Sequence, residues 1–146
     1  MTKAGPKVLE YNVRFGDPET QSLLPLMETD LADVLVTCAE GTLKDVDLRV
    51  VDKAAATVVM AASGYPESYK KGIEIKLKPV PNDVVLFHAG TTLEEGILRT
   101  SGGRVIASTA TAGKLDDAIK AAYDGVRCVE FDGIQYRKDI GAKALW

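Results

Sequence analysis

The stretch from Asp83 to Thr111, DVVLFHAGTTLEEGILRTSGGRVIASTAT, reads as strand, turn, strand, a Gly-Gly turn and a further strand. Its apolar runs are short and bounded by glycine, which favours strands over helices. Upstream, AATVVMAAS (Ala55–Ser63) is a buried-strand candidate stopped by Gly64-Tyr65-Pro66, and GIEIKL (Gly72–Leu77) alternates. Downstream, Lys114 to Tyr123 is an amphipathic helix with Leu115, Ala118, Ile119 and Ala122 on one face. CVEFDGIQYRKDIG closes as short strand, turn, strand. There is no internal repeat and no low-complexity segment.

The first 45 residues read differently. Lys7–Phe15 alternates, which predicts a strand with Leu9, Tyr11, Val13 and Phe15 on one side and Glu10, Asn12 and Arg14 on the other. Gly16-Asp17-Pro18 stops it. Asp17 suits an N-cap and Pro18 the first helical position, with Glu19 in the first turn. Leu23, Leu24, Met27, Leu31, Val34 and Leu35 recur at threes and fours, giving a helix from Glu19 to Leu35 or Ala39. Pro25 kinks or splits it, Asp30 caps the second piece, and Gly41 ends it. The whole is an α+β chain in two parts, 1–45 and 46–146.

At 146 residues, 46% hydrophobic and 27% charged, the composition is that of one ordinary globular unit. The net charge of −3 argues against a nucleic-acid surface. No apolar run approaches the ~20 residues that span a bilayer. MTKAGPKVLEYN lacks an apolar leader core, so the expected place is the cytoplasm. Cys38 and Cys128 have no CxxC spacing and are expected to be buried and reduced.

Glu10 and Asn12 are two apart on the expected strand, so their side chains emerge together. One carboxylate and one amide oxygen suit Mg²⁺, which keeps phosphate oxygens as further ligands. Arg14 shares that face and offers a fork for a carboxylate or phosphate. A solvated strand face with a Glu–Arg pair explains the same spacing. His88 is the only histidine; a general base and a hydrogen-bonded structural histidine are its two readings, and the second is favoured. Gly102-Gly103-Arg104 suits either a phosphate approach or a hairpin turn. Arg137, Lys138 and Asp139 either face a cleft or form a surface ion network.

RFGDPETQ (Arg14–Gln21) resembles, without mismatch, the R-F-G-D-P-E-x-Q signature of the phosphoribosylamine–glycine ligase family. Similar blocks follow in family order: VVMAASGYPESYKKG (Val58–Gly72), FHAGT (Phe87–Thr91), GGRVIASTA (Gly102–Ala110) and YRKDIG (Tyr136–Gly141). The resemblance implies an ATP-grasp enzyme of purine synthesis. ATP would phosphorylate the glycine carboxylate, and the amine of 5-phosphoribosylamine would attack the acyl phosphate, releasing ADP and phosphate. It places the ligands of Mg²⁺ (or Mn²⁺) on Glu10 and Asn12. Arg14 is then expected on the anionic substrate, with Asp17 and the Gly16 turn shaping the pocket beside it. The resemblance makes 1–45 the end of an ATP-grasp domain and 46–146 a β-rich domain like the one closing biotin carboxylase.

Members of that family are much longer. The expected N-terminal substrate domain, phosphate-binding lysines, glycine-rich flap and adenine strand have no counterpart before Glu10. A fragment, one piece of a split enzyme, and a non-catalytic structural or assembly module derived from the ligase are the three explanations. The isolated chain is expected to be inactive and to self-associate through apolar surface that a missing N-terminal part would cover.

Overall fold

The structure is a computed structural model that describes residues 5–9, 11 and 13–144. Its centre is an antiparallel three-stranded sheet in the order β1-β6-β3. β1 is Ala54–Ala61, β3 is Val84–His88 and β6 is Arg104–Ala112. Even-numbered residues of β1 and β6 share one face: Ala56 pairs with Ala110, Val58 with Ser108 and Met60 with Ile106. The helix α3 (Leu115–Val126) covers that face with Ala118, Ala122 and Val126, and all of these residues are buried. The apolar spacing of three and four on α3 thus finds its partner in the period of two on the strands.

Part of the opposite face is covered by the segment that follows the Gly-Asp-Pro turn. α1 (Thr20–Leu23) runs into a 3-10 turn at Leu24–Leu26. The Ser22 hydroxyl meets the Thr57 hydroxyl at 2.7 Å, and Thr57 meets Thr109 at 2.7 Å. β6 is therefore buried on both faces from Val105 to Ala110. β4 (Thr91–Glu94) and β5 (Ile97–Thr100) form a hairpin between β3 and β6, and β2 (Lys76–Leu77) pairs with β7 (Val129–Glu130).

The expected helix divides at Pro25, and α2 runs Leu31–Glu40. The Asp30 carboxylate accepts from the Ala32 N–H at 2.7 Å, and Gly41 ends the helix at φ 71°. These are the cap and stop that the sequence predicts. No residue of α2 is buried.

Four expectations fail. The closing stretch keeps its first strand, β7, but in place of the second it has an isolated bridge between Gln135 and Ala61. The described residues of 7–15 form no strand, and Leu9, Tyr11 and Val13 are exposed. A strand needs a neighbour to complete its ladder, and no described strand pairs with this stretch. Asp17 and Pro18 do not start the helix. The Asp17–Pro18 bond is cis, α1 begins at Thr20, and the Asp17 carboxylate is taken by an arginine instead. Neither cysteine is buried: Cys38 is exposed and Cys128 half-buried, both as free thiols. The open side of α2 accounts for the exposure of Cys38.

No helix among the described residues is long and apolar enough to cross a membrane.

Candidate functional site

A cavity of about 490 Å³ opens on the sheet face that α3 does not cover. Thr57, Val59 and Ala61, three of the four odd residues of β1, form its floor. Tyr65 and Tyr136 stand at its sides, Arg104 and Arg137 bring two guanidinium groups, and Pro18 of the signature turn closes one edge. Most of the lining is thus apolar, with cations and hydroxyls at the margin.

Arg104 reaches this face through a break in strand register. Met60 pairs with Ile106, but the next residue, Ala61, pairs with Arg104, so Val105 is one extra residue on β6. Strict alternation would put Arg104 on the α3 side with Ile106 and Ser108. The bulge re-aims it to the cavity side, which is the usual effect of such an insertion. There the Nη2 atom of Arg104 lies 2.9 Å from Oδ2 of Asp17, and Nη1 donates to the Asp17 carbonyl at 3.1 Å.

The backbone before Arg104 is fixed by close packing. A Cβ on Gly103 would lie 2.1 Å from the Tyr65 ring. A Cβ on Gly102 would lie 2.9 Å from the Gly90 Cα. The two glycines therefore serve backbone-to-ring and backbone-to-backbone contact. They connect β5 to β6, two strands that do not pair with each other, so the hairpin reading does not hold.

Arg137 is held from behind. The Tyr123 hydroxyl donates to the Arg137 carbonyl at 2.9 Å and accepts from the Ile140 N–H at 3.0 Å, which pins this turn to α3. The guanidinium of Arg137 makes two bonds to Asp139, at 2.9 and 2.7 Å. That hydrogen bonding holds the Asp139 carboxyl below its usual range and raises Arg137. Arg137 thus lines the cavity and belongs to a surface ion pair at once. Gln135 donates to the carbonyls of Ala62 and Tyr65 at 3.0 and 3.2 Å, tying the closing turn to the loop after β1.

The sequence-predicted site residues fare unevenly. Glu10 and Asn12 lie outside the described residues. Arg14 is exposed and donates to the Phe15 carbonyl at 3.0 Å. Asp17 is the partner of Arg104. His88 is exposed at the end of β3, with Nδ1 3.0 Å from the Thr91 hydroxyl, and does not line the cavity. Among the described residues no three His, Cys, Asp or Glu side chains come together to hold a metal ion. Sequence reasoning missed the Arg104–Asp17 contact, because alternation assigns Arg104 to the wrong face.

Comparison with known proteins identifies the unit. Residues 55–143 match the family described as phosphoribosylglycinamide synthetase, C domain. The chain is 49% identical over 146 residues to the phosphoribosylamine–glycine ligase of Chlorobaculum tepidum, covering 98% of this chain and 34% of that protein. It is 53% identical over 142 residues to a bifunctional purine biosynthetic protein of Pichia angusta, covering 96% of this chain and 18% of the relative. The crystal structure of the phosphoribosylamine–glycine ligase of Thermotoga maritima superposes with a TM-score of 0.72 at 35% identity, over 94% of this chain and 34% of that one. The chain spans about a third of the length of these bacterial ligases. A mixed sheet-and-helix unit matched in sequence and in fold to the C-terminal part of one enzyme belongs to the phosphoribosylamine–glycine ligase family.

Proposed function

We propose that this chain is the C-terminal part of an ATP-dependent ligase that joins glycine to 5-phosphoribosylamine in cytoplasmic de novo purine biosynthesis. The observation that carries this reading is the near-complete alignment with a ligase at 49% identity, signature turn included. Residues 1–45 are the end of an ATP-grasp domain, and 46–146 are a C-terminal domain of the biotin-carboxylase type. The reaction releases ADP and phosphate through an acyl phosphate of glycine.

In this reading Glu10 and Asn12 hold Mg²⁺ (or Mn²⁺), since one carboxylate and one amide oxygen suit a hard cation that also takes phosphate oxygens. The bound ion supplies neutralisation of nucleotide phosphate charge during phosphoryl transfer. Arg14 clamps the glycine carboxylate or the acyl phosphate, and Asp17 shapes the turn beside it. The 146 residues alone are inactive, because nucleotide binding falls to the other two-thirds of the ligase.

The test is a graft. This chain replaces the corresponding third of the Chlorobaculum tepidum ligase, and ADP release is followed with ATP, glycine and phosphoribosylamine. Glycine-dependent turnover is expected, and Glu10→Ala or Asn12→Ala should lower it on the order of 100-fold, the upper end of losses around metal ligands. A folded but inactive graft would instead support a structural module. Turnover by the 146 residues alone would overturn the claim of inactivity.

A further inference from the structure

The signature turn is attached to the sheet, and one side chain makes most of that attachment. Arg104 contacts both the carboxylate and the backbone carbonyl of Asp17. A fork that grips a residue at two places sets the direction of its peptide as well as its charge. The bulge at Val105 turns Arg104 toward Asp17, and the Tyr65 ring against Gly103 fixes the backbone one residue earlier. Bulges concentrate beside functional sites because they re-aim single side chains. Thr20 completes the hold, its N–H and hydroxyl both donating to the Gly16 carbonyl, at 2.9 and 2.6 Å.

We infer that Arg104 is a positioning residue, which fixes the Gly16–Glu19 turn on the β1–β6 sheet and so sets where Arg14 is presented to an anionic substrate. The placement half stands on the contacts above. The catalytic half rests on the ligase reading. The exposed pair Lys78–Glu130, by contrast, joins two side chains.

Two experiments separate the halves. In the 146-residue chain, hydrogen exchange of the amides of 19–23 is followed in Arg104→Ala and in the swapped pair Arg104→Asp with Asp17→Arg. Protection should fall about fivefold in the single variant, the upper range for an exposed pair, and return in part in the swap. Unchanged protection overturns the placement. In the grafted ligase, Arg104→Ala should raise the KM of one anionic substrate about tenfold, since small misplacements of a binding group are costly. The KM for ATP should stay within about twofold, and Arg104→Lys should recover part of the loss. A fall in kcat with every KM unchanged is what a merely structural residue gives, and overturns the catalytic half. An inactive wild-type graft removes the ligase reading and the catalytic half together, and the exchange result still decides the placement.

Discussion

Ser108 and Gly125 face each other across the seam between β6 and α3, and a Cβ on Gly125 would lie 2.2 Å from the Ser108 Oγ. It would also lie 2.5 Å from Val84 Cγ1. The Ser108 hydroxyl is buried there and donates to the Ala122 carbonyl at 2.7 Å. In an open helix Gly→Ala gains about 1 kcal/mol. Here overpacking of about 1–3 kcal/mol outweighs it. Gly125→Ala is therefore expected to lower the urea midpoint; a higher midpoint would show that α3 can move away from the sheet.

The hydroxyl chain Ser22–Thr57–Thr109 ties α1 to the sheet. Thr57→Val keeps the shape and removes the middle link, leaving the buried Thr109 hydroxyl without this partner. The loss should be about 1–3 kcal/mol in equilibrium denaturation. Ser22→Ala leaves the Thr57–Thr109 bond in place and should be milder. An equal loss in both variants would count against a chain anchored at Thr109.

Capping of α2 should be a local matter. Asp30→Ala removes the bond to the Ala32 amide, a loss of about 1 kcal/mol for an N-cap. Because no residue of α2 is fully buried, the change should appear as faster exchange in 31–40 with little shift in the global melting temperature. A matching global shift would mean that α2 is packed in solution.

Lys78 and Glu130 join β2 to β7, and their hydrogen bond raises Lys78 from its ordinary value of 10.5 and lowers Glu130 from 4.5. The depressed carboxyl stabilises the fold above its ordinary value, and that contribution is lost as pH falls through the lower folded value. The raised ammonium stabilises below 10.5, and its contribution is lost as pH rises through the higher folded value. Melting temperatures of wild type and Glu130→Gln should therefore differ slightly at neutral pH, converge in acid, and converge in high salt. Curves that stay apart at pH 2 would assign the difference to packing.

Val36, Leu48 and Val50 are more than half exposed, and Leu9 and Val13 almost fully. The 146-residue chain should self-associate and bind a hydrophobic dye, and Val36→Lys with Leu48→Lys should reduce both. A monodisperse, dye-silent wild type in analytical ultracentrifugation would refute this.

The sheet and α3 were legible because β1 buries every second residue and α3 every third or fourth, while β6, buried on both faces, reads as a short run that starts at a glycine pair. The stop at Gly41 and the cap at Asp30 were legible because each is a local chemical demand. The face of Arg104 was not, since a bulge depends on how two strands far apart in sequence meet. Nor were the tight glycines, whose reason is a ring or a backbone arriving from elsewhere. The strand expected at 7–15 had the right alternation, but alternation specifies a face and supplies no neighbour. RFGDPETQ marked the correct neighbourhood, while the residue that holds its turn lies in a different block.

The strand order β1-β6-β3 has a consequence for how the chain is made. β1 and β3 both pair with β6 and not with each other, yet β6 is the last of the three to leave the ribosome. A nascent chain ending before Arg104 carries both margins of the sheet and no centre. Each margin is then an unpaired, apolar edge open to wrong partners. Pairing of the sheet should wait for Ala112, and burial of its even face for Val126, where α3 ends.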